Sequence, residues 1–228
     1  MENEHDMTPD DPREHVRRLF EAYAAAPLPG WAEFAAAMRI RPVNQGEIFL
    51  DETEEIGSYL YLVVSGVFHV RVFSADGSSR TSNFARPGDF MASLPAIEER
   101  PRTPVPPEAA DSIVGKALEQ VYQERYRLTA LSHGSVIEIP LHEMHRQASR
   151  SVAWGKALAT AYLVYAQILR YERDRMRALP EARYRSFLVD FEPVLRFIQQ
   201  KDIADYLGIS VVGLSRIASR VRRADAPH

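Results

Sequence analysis

The chain has 228 residues, enough for one large domain or two small ones. Its 46% hydrophobic and 26% charged residues describe a globular protein, and no run of about 18 apolar residues offers a membrane span. The absence of cysteine excludes disulfides, thiolate metal sites and cysteine-held iron–sulfur clusters, while the formal net charge of −3 conceals an acidic start and a basic end.

The first 58 residues hold thirteen acids against five bases, and Arg170 to Arg223 hold twelve bases against seven acids. A weakly acidic total is therefore compatible with an anionic partner at the C-terminal end. The opening MENEHDMTPDDPREH lacks the basic start and apolar core of a signal peptide, so the cytoplasm is the expected compartment.

Asp11-Pro12 opens a helix, with proline at its favoured early position. Val16, Leu19, Phe20 and Tyr23 fall on one face. Pro27-Leu28-Pro29-Gly30 stops it, and a second short helix runs from Trp31 to Met38. The pattern then turns to strand: Glu47 to Leu50, Ser58 to Val64, Val67 to Phe73, Arg80 to Phe84 and Ser135 to Ile139. Ser65-Gly66, Asp76-Gly77 and Arg86-Pro87-Gly88-Asp89 punctuate these runs. Asp76-Gly77 between two strands is a strong hairpin signal, and short strands at this spacing predict a barrel or jelly roll.

Ala96 to Gln120 interrupt the roll. The proline-rich part suits neither helix nor central strand. It reads as a solvent loop or, more sharply, as a lid or partner-binding segment. From Leu141 the chain is helical. Val152 to Met176 predicts a long helix, with Trp154, Leu158, Ala161, Tyr165 and Ile168 at three- and four-residue steps. Its first part is expected to pack on the roll and the rest on a second copy. Leu179-Pro180 breaks it. Tyr184, Phe187, Leu188 and Phe191 then begin a second core.

Gln200 to Ile217 reads as helix, tight turn, helix. Ile203, Ala204 and Leu207 share a face. Gly208 suits the left-handed conformation that ends a helix, and Ser210 suits the cap of the next. Leu214 and Ile217 face inward, leaving Ser215 and Arg216 for a DNA groove. Similar helix pairs occur in all-α proteins without a DNA role. The basic surround, closed by Arg220, Arg222 and Arg223, favours phosphate contact here.

The string RYRSFLVDFEPVLRFIQQKDIADYLGISVVGLSRI, with YLYLVVSGVFHV and FARPGDF before it, resembles the Crp/Fnr family of bacterial transcription regulators. The likeness runs from about Trp31 to Arg223. It implies an α+β chain: an N-terminal double-stranded β-helix sensor domain of the cyclic-nucleotide-binding, jelly-roll type, a long dimerisation helix, and a C-terminal winged-helix-like helix-turn-helix domain. The expected divisions are 1–144, with the insertion near 96–120, then 145–178 and 179–228.

The resemblance further implies a homodimer on double-stranded DNA, one recognition helix per subunit reading a near-palindrome. Recognition positions fall on Ser210, Val211, Val212, Ser215, Arg216 and Arg220. Arg216 stands where the family's arginine reads guanine through O6 and N7. Val211 and Val212 depart from the family's polar residues and offer apolar contact only. In the sensor domain, Ala92-Ser93 replaces the Gly-Glu pair that holds the ribose of a cyclic nucleotide, and Arg125-Tyr126-Arg127 is the nearest match to the phosphate-binding part. Cyclic AMP is therefore not the expected effector. A different small molecule would meet Val70, Ser82, Asn83, Ala85, Arg125, Tyr162 and Tyr165, and a filled core without ligand is the alternative.

No cofactor, metal site or catalytic set is expected. His142 and His145, spaced i, i+3, lack a third ligand, and His69 reads as packed or exposed in its strand, not as a ligand. A cupin-like metalloenzyme would need His-x-His on a strand, and none occurs. A third possibility is a degenerate regulator that acts through protein contacts, its recognition helix kept as fold.

Overall fold

The computed structural model describes residues 11–50, 59–74, 76–91, 111–117 and 125–224. The acidic stretch 1–10, Ala92-Ser93 and all of the 96–120 insertion except 111–117 lie outside the described residues.

Helix α1, Pro12–Ala24, starts as the sequence predicts: the Asp11 side chain accepts from the Arg13 N–H and proline occupies the first turn. Helix α2 is Trp31–Ala37. Among the described residues eight strands follow: β1 Arg39–Val43, β2 Ile48–Leu50, β3 Tyr59–Ser65, β4 Phe68–Phe73, β5 Ser79–Ala85, β6 Phe90–Met91, β7 Arg125–Ala130 and β8 Gly134–Pro140. They form two four-stranded antiparallel sheets, β1-β8-β3-β6 (sheet I) and β2-β7-β4-β5 (sheet II).

Side-chain alternation across the pleat divides the core. Between the sheets, Phe49, Tyr61, Val63, Phe68, Leu128 and Val136 pack in one cluster. Phe49 meets Tyr61 and Phe68 edge-on, with ring centres 5.3 and 5.4 Å apart. On the outer face of sheet I, Leu62, Ile137 and Ile139 meet Phe20, Phe34 and Trp154 from the helices. The Trp154 indole N–H donates to the Pro29 carbonyl at 2.8 Å, so this buried ring leaves no polar atom unsatisfied.

Sheet I closes where β3 turns into β4. A Cβ built on Gly134 would stand 2.2 Å from the Ser65 carbonyl oxygen and 2.9 Å from the Gly66 Cα. Gly66 itself has φ +90°. Because backbone and not a flexible side chain is in the way, Gly134→Ala is expected to cost about 1–3 kcal/mol. Calorimetry should show a melting temperature lower by roughly 2–12 °C, at ~2–4 °C per kcal/mol for a chain of this size. An unchanged melting temperature would mean that the strands part without cost.

Helix α3 is Leu141–Arg150, α4 is Val152–Met176, α5 is Pro180–Phe191, a 3-10 turn covers Glu192–Phe197, α6 is Gln200–Tyr206 and α7 is Val211–Ala224. The stripe Trp154, Leu158, Ala161, Tyr165, Ile168 grows more exposed along α4, from the buried Trp154 to Ile168 at 50%. Trp154 is in the core, Leu158 and Ala161 pack against it, and Tyr165 and Ile168 continue along the same side beside Phe20 and Phe90. A different face carries the exposed Leu163 and Leu169.

Among the described residues, no helix is long and apolar enough to cross a membrane, and no cluster of three or more His, Asp or Glu side chains could hold a metal.

Candidate nucleic-acid interface and sensor seam

Helices α6 and α7 are joined as the residues predict. Gly208 has φ +62°, and its N–H and that of Ile209 donate to Asp205 and Ala204 carbonyls at 3.0 Å each, closing α6. Ser210 Oγ then accepts from the Gly213 N–H at 3.0 Å and caps α7. A Cβ on Gly213 would come within 3.1 Å of that Oγ, so the glycine that weakens the helix also leaves room for the cap.

Leu214, Ile217 and Val221 bury one side of α7 against a core that includes Ile203, Ala204, Leu207 and Phe187. The other side is exposed and carries Ser215, Arg216 and Arg220, with Val211 and Val212 at its head. All six sequence-predicted recognition residues therefore lie at the head or along the open side of one helix. Arg216 makes no ion pair among the described residues. Arg220 is 3.4 Å from Glu181 of α5, an exposed contact that a phosphate would compete with.

The predicted effector residues are brought together only in part. Val70 and Ala85 are buried in the cluster between the sheets. Asn83 is exposed, and its side-chain oxygen accepts from the Phe84 N–H. Ser82 is the extra residue of a bulge: Val70 pairs with Asn83 but Arg71 pairs with Thr81. Arg125 pairs with Phe73 at the end of β7. Tyr162 and Tyr165 lie on the opposite side of sheet I, in a cavity with Phe20 and Phe90.

The bulge at Ser82 has a structural use that the sequence pattern concealed. It turns Thr81 to the same side of sheet II as Phe84 and His69, the side that meets the helix-turn-helix unit. There the Asp205 carboxylate of α6 accepts from the Thr81 backbone N–H at 2.7 Å and from the Thr81 hydroxyl at 2.8 Å, with Arg71 at 3.7 Å. Since the Thr81 hydroxyl proton goes to Asp205, its oxygen is left to accept from His69 Nε2 at 3.0 Å. Phe84 lies under this chain, stacked on His69 at 5.0 Å and in edge contact with Phe187, Phe191 and Tyr206. Arg86 donates to the Asp190 carbonyl of α5 across the same seam. The Tyr206 hydroxyl donates to Glu172 of α4 at 2.8 Å. Three parts of the chain thus meet at one seam: sheet II, the long helix and the recognition unit.

Burial holds the His69 imidazole below its ordinary value of 6.5, against the opposing pull of Asp202 and Asp205, while Arg71 and Lys201 push the same way as burial. The unfolded chain then takes up the proton first. His69 contributes stability that is present above pH 6.5 and is lost as pH falls below it. Wild-type protein is expected to lose more melting temperature between pH 7.5 and 5.5 than His69→Gln. Equal losses would remove His69 as the cause.

No family model and no curated protein matches the sequence. The fold does match solved structures. FixK2 from Bradyrhizobium japonicum is similar at 21% identity, with a TM-score of 0.59 over 82% of this chain and 86% of that one. A protein assigned as a transcriptional regulator of the Crp/Fnr family from Eubacterium rectale is similar at 16% identity, with a TM-score of 0.61 over 91% and 88%. A cyclic nucleotide-binding domain containing protein from Listeria monocytogenes is similar at 13% identity, with a TM-score of 0.56 over 94% and 92%. The chain therefore has the Crp/Fnr-like fold: a double-sheet roll, a long helix and a helical C-terminal unit.

Proposed function

We propose that this chain is a homodimeric, DNA-binding transcription regulator of the Crp/Fnr type, working in the cytoplasm and without catalysis of its own. Each subunit places one recognition helix on a near-palindromic duplex site. The observation that carries this reading is α7: a helix capped and buried on one side, with Ser210, Ser215, Arg216 and Arg220 exposed on or beside the other. Arginine at such a position reads guanine, and its neighbours Arg222 and Arg223 add phosphate contacts.

The division of labour is 1–144 as sensor, 145–178 as dimerisation helix and 179–228 as DNA-binding unit. The dimer is supported by the face of α4 that leaves its own roll. At about 100° per residue, Gly155, Ala159, Tyr162, Leu163, Ala166 and Leu169 fall on one side. Leu163 and Leu169 are 60% and 47% exposed, apolar area of the kind a second helix covers. Gly155 and Ala159 at the start of that side allow close approach.

Independence of a cyclic nucleotide is supported by the apolar cluster between the sheets, where Phe49, Tyr61, Phe68 and Met91 pack together. Arg127 is similarly engaged, its guanidinium 5.0 Å from the Phe73 ring centre. Val211 and Val212, 48% and 62% exposed at the head of α7, favour one second reading: a regulator acting through protein contacts.

Selection from a randomised duplex pool with purified protein separates the readings. The expected result is enrichment of a near-palindrome with half-sites about one helical turn, ~34 Å, apart. Binding at low salt without enrichment would leave only the sequence-independent phosphate attraction and would support the second reading.

A further inference from the structure

A cavity of about 140 Å³ lies on the outer face of sheet I, between α1, α3 and α4. Sheet I separates it from the cluster between the sheets, which holds Val70 and Ala85 of the expected effector set. Phe20 of α1, Leu60 of β3, Phe90 of β6, Met144 of α3 and Ala161 and Tyr165 of α4 contribute walls from five elements. We propose that this cavity is a binding site for a neutral, single-ring aromatic molecule.

The volume selects the size. A cavity of about 150 Å³ lined by aliphatic and aromatic side chains stays dry and takes up benzene. The walls select the charge. No lining residue carries an ionic side chain; the side-chain heteroatoms of the lining residues are phenol oxygens and the Met144 sulfur. Burial raises the Tyr23 phenol further above its ordinary value of 10, where it is already neutral at physiological pH. An anion would enter without a counter-charge and lose its hydration. A neutral ring meets Phe20, Phe90 and the thioether, contacts that favour aromatic faces and edges. The pocket is partly open, with Tyr162 and Ile168 exposed at its rim, and a bound ring would add contacts to its apolar walls.

A second copy of the chain is the competing occupant. The cavity side of α4, with Leu158, Ala161 and Tyr165, points about 120° away from Leu163 and Ala166, the side left free for a partner helix. Tyr162 borders both. The proposal goes beyond the DNA-binding reading and does not depend on it.

Full-length protein should be titrated with toluene and phenol, with benzoate as the charged counterpart. The expected result is saturable one-to-one binding of the two neutral probes, a shift of the Met144 methyl resonance, and a melting temperature raised by ~3–6 °C at a tenfold excess over Kd. Benzoate should bind at least tenfold more weakly. Ala161→Phe fills the cavity and should abolish toluene binding while the circular dichroism spectrum is kept. If that variant does not fold, Ala161→Leu makes the smaller fill and should weaken binding at least tenfold. The proposal is overturned if toluene shows no saturable binding up to its solubility, as it would were a partner's side chains seated there. Toluene affinity unchanged in the filled variants, or benzoate bound as well as phenol, overturns it equally.

Discussion

Arg216→Ala is expected to weaken sequence-specific DNA binding by about 1–3 kcal/mol per half-site, the worth of a bidentate arginine–guanine contact. A dimer on a near-palindrome has the contact twice, so the total is ~2–6 kcal/mol, roughly thirtyfold to more than ten-thousandfold. The loss should be confined to sites with the cognate base. On random duplex the variant should fall only by the small electrostatic share of one charge per subunit. Gel-shift titrations on the selected site and on random duplex, at two salt concentrations, read both numbers. The guanidinium is exposed on α7, and the core that orients that helix is made by Leu214, Ile217 and Val221, so the variant should melt like wild type. A variant that keeps its affinity for the selected site would remove Arg216 as the reading residue. Equal losses on both duplexes would make it a phosphate contact instead.

The parts of this structure that were legible in the sequence are those whose cause is local. Gly208 ends α6 and Ser210 caps α7 because their backbone and side-chain chemistry acts within three or four residues. The Asp11-Pro12 start of α1 is of the same kind. Strands β2, β3, β4, β5 and β8 announced themselves as short apolar or alternating runs, β3 and β8 being buried on both faces of sheet I. β1, β6 and β7 did not. Arg39–Val43 is an edge strand with a proline and mostly exposed side chains, Phe90–Met91 is a single pair of residues, and Arg125–Ala130 alternates charge with apolar residues as a loop might.

The sensor residues were hidden for a different reason. Side-chain direction in a strand is a counting argument of period two, and one bulged residue reverses it. Ser82 is that residue. It sends Thr81 outward with Arg71, although the distance from Phe84 along the chain predicts opposite faces. The seam around Asp205 is therefore a long-range consequence of one inserted position. Likewise, the period of α4 showed an apolar side but not which neighbour it served. Trp154 through Ile168 read as a stripe shared between roll and partner; Trp154, Leu158 and Ala161 pack with the protein's own α1 and sheet I, while Ile168 is half exposed.

Phe84→Ala is the substitution expected to cost most in stability. The ring is fully buried between sheet II and the recognition unit, with His69, Phe187, Phe191 and Tyr206 around it at 5.0 to 6.0 Å. Truncating a buried phenylalanine costs about 3–5 kcal/mol, a fall in melting temperature of roughly 6–20 °C. The matched control is Val189→Ala on the exposed side of α5, expected within about 0.5 kcal/mol of wild type. The position of the ring makes a second readout decisive. Phe84 touches no recognition residue, but it and the Thr81–Asp205 hydrogen bonds fix α6, and with it α7, on the roll. In a dimer, the distance between the two recognition helices is set by that docking, and a half-site spacing near one turn of duplex tolerates little error. Measured well below its melting temperature, Phe84→Ala should therefore lose specific affinity with Arg216 still in place, and proteolysis should cut faster near Leu179-Pro180. Lower stability with unchanged affinity and unchanged cleavage would make the seam a packing feature alone. Lower stability with lost affinity would make it the joint through which the roll sets the spacing of the DNA-reading helices.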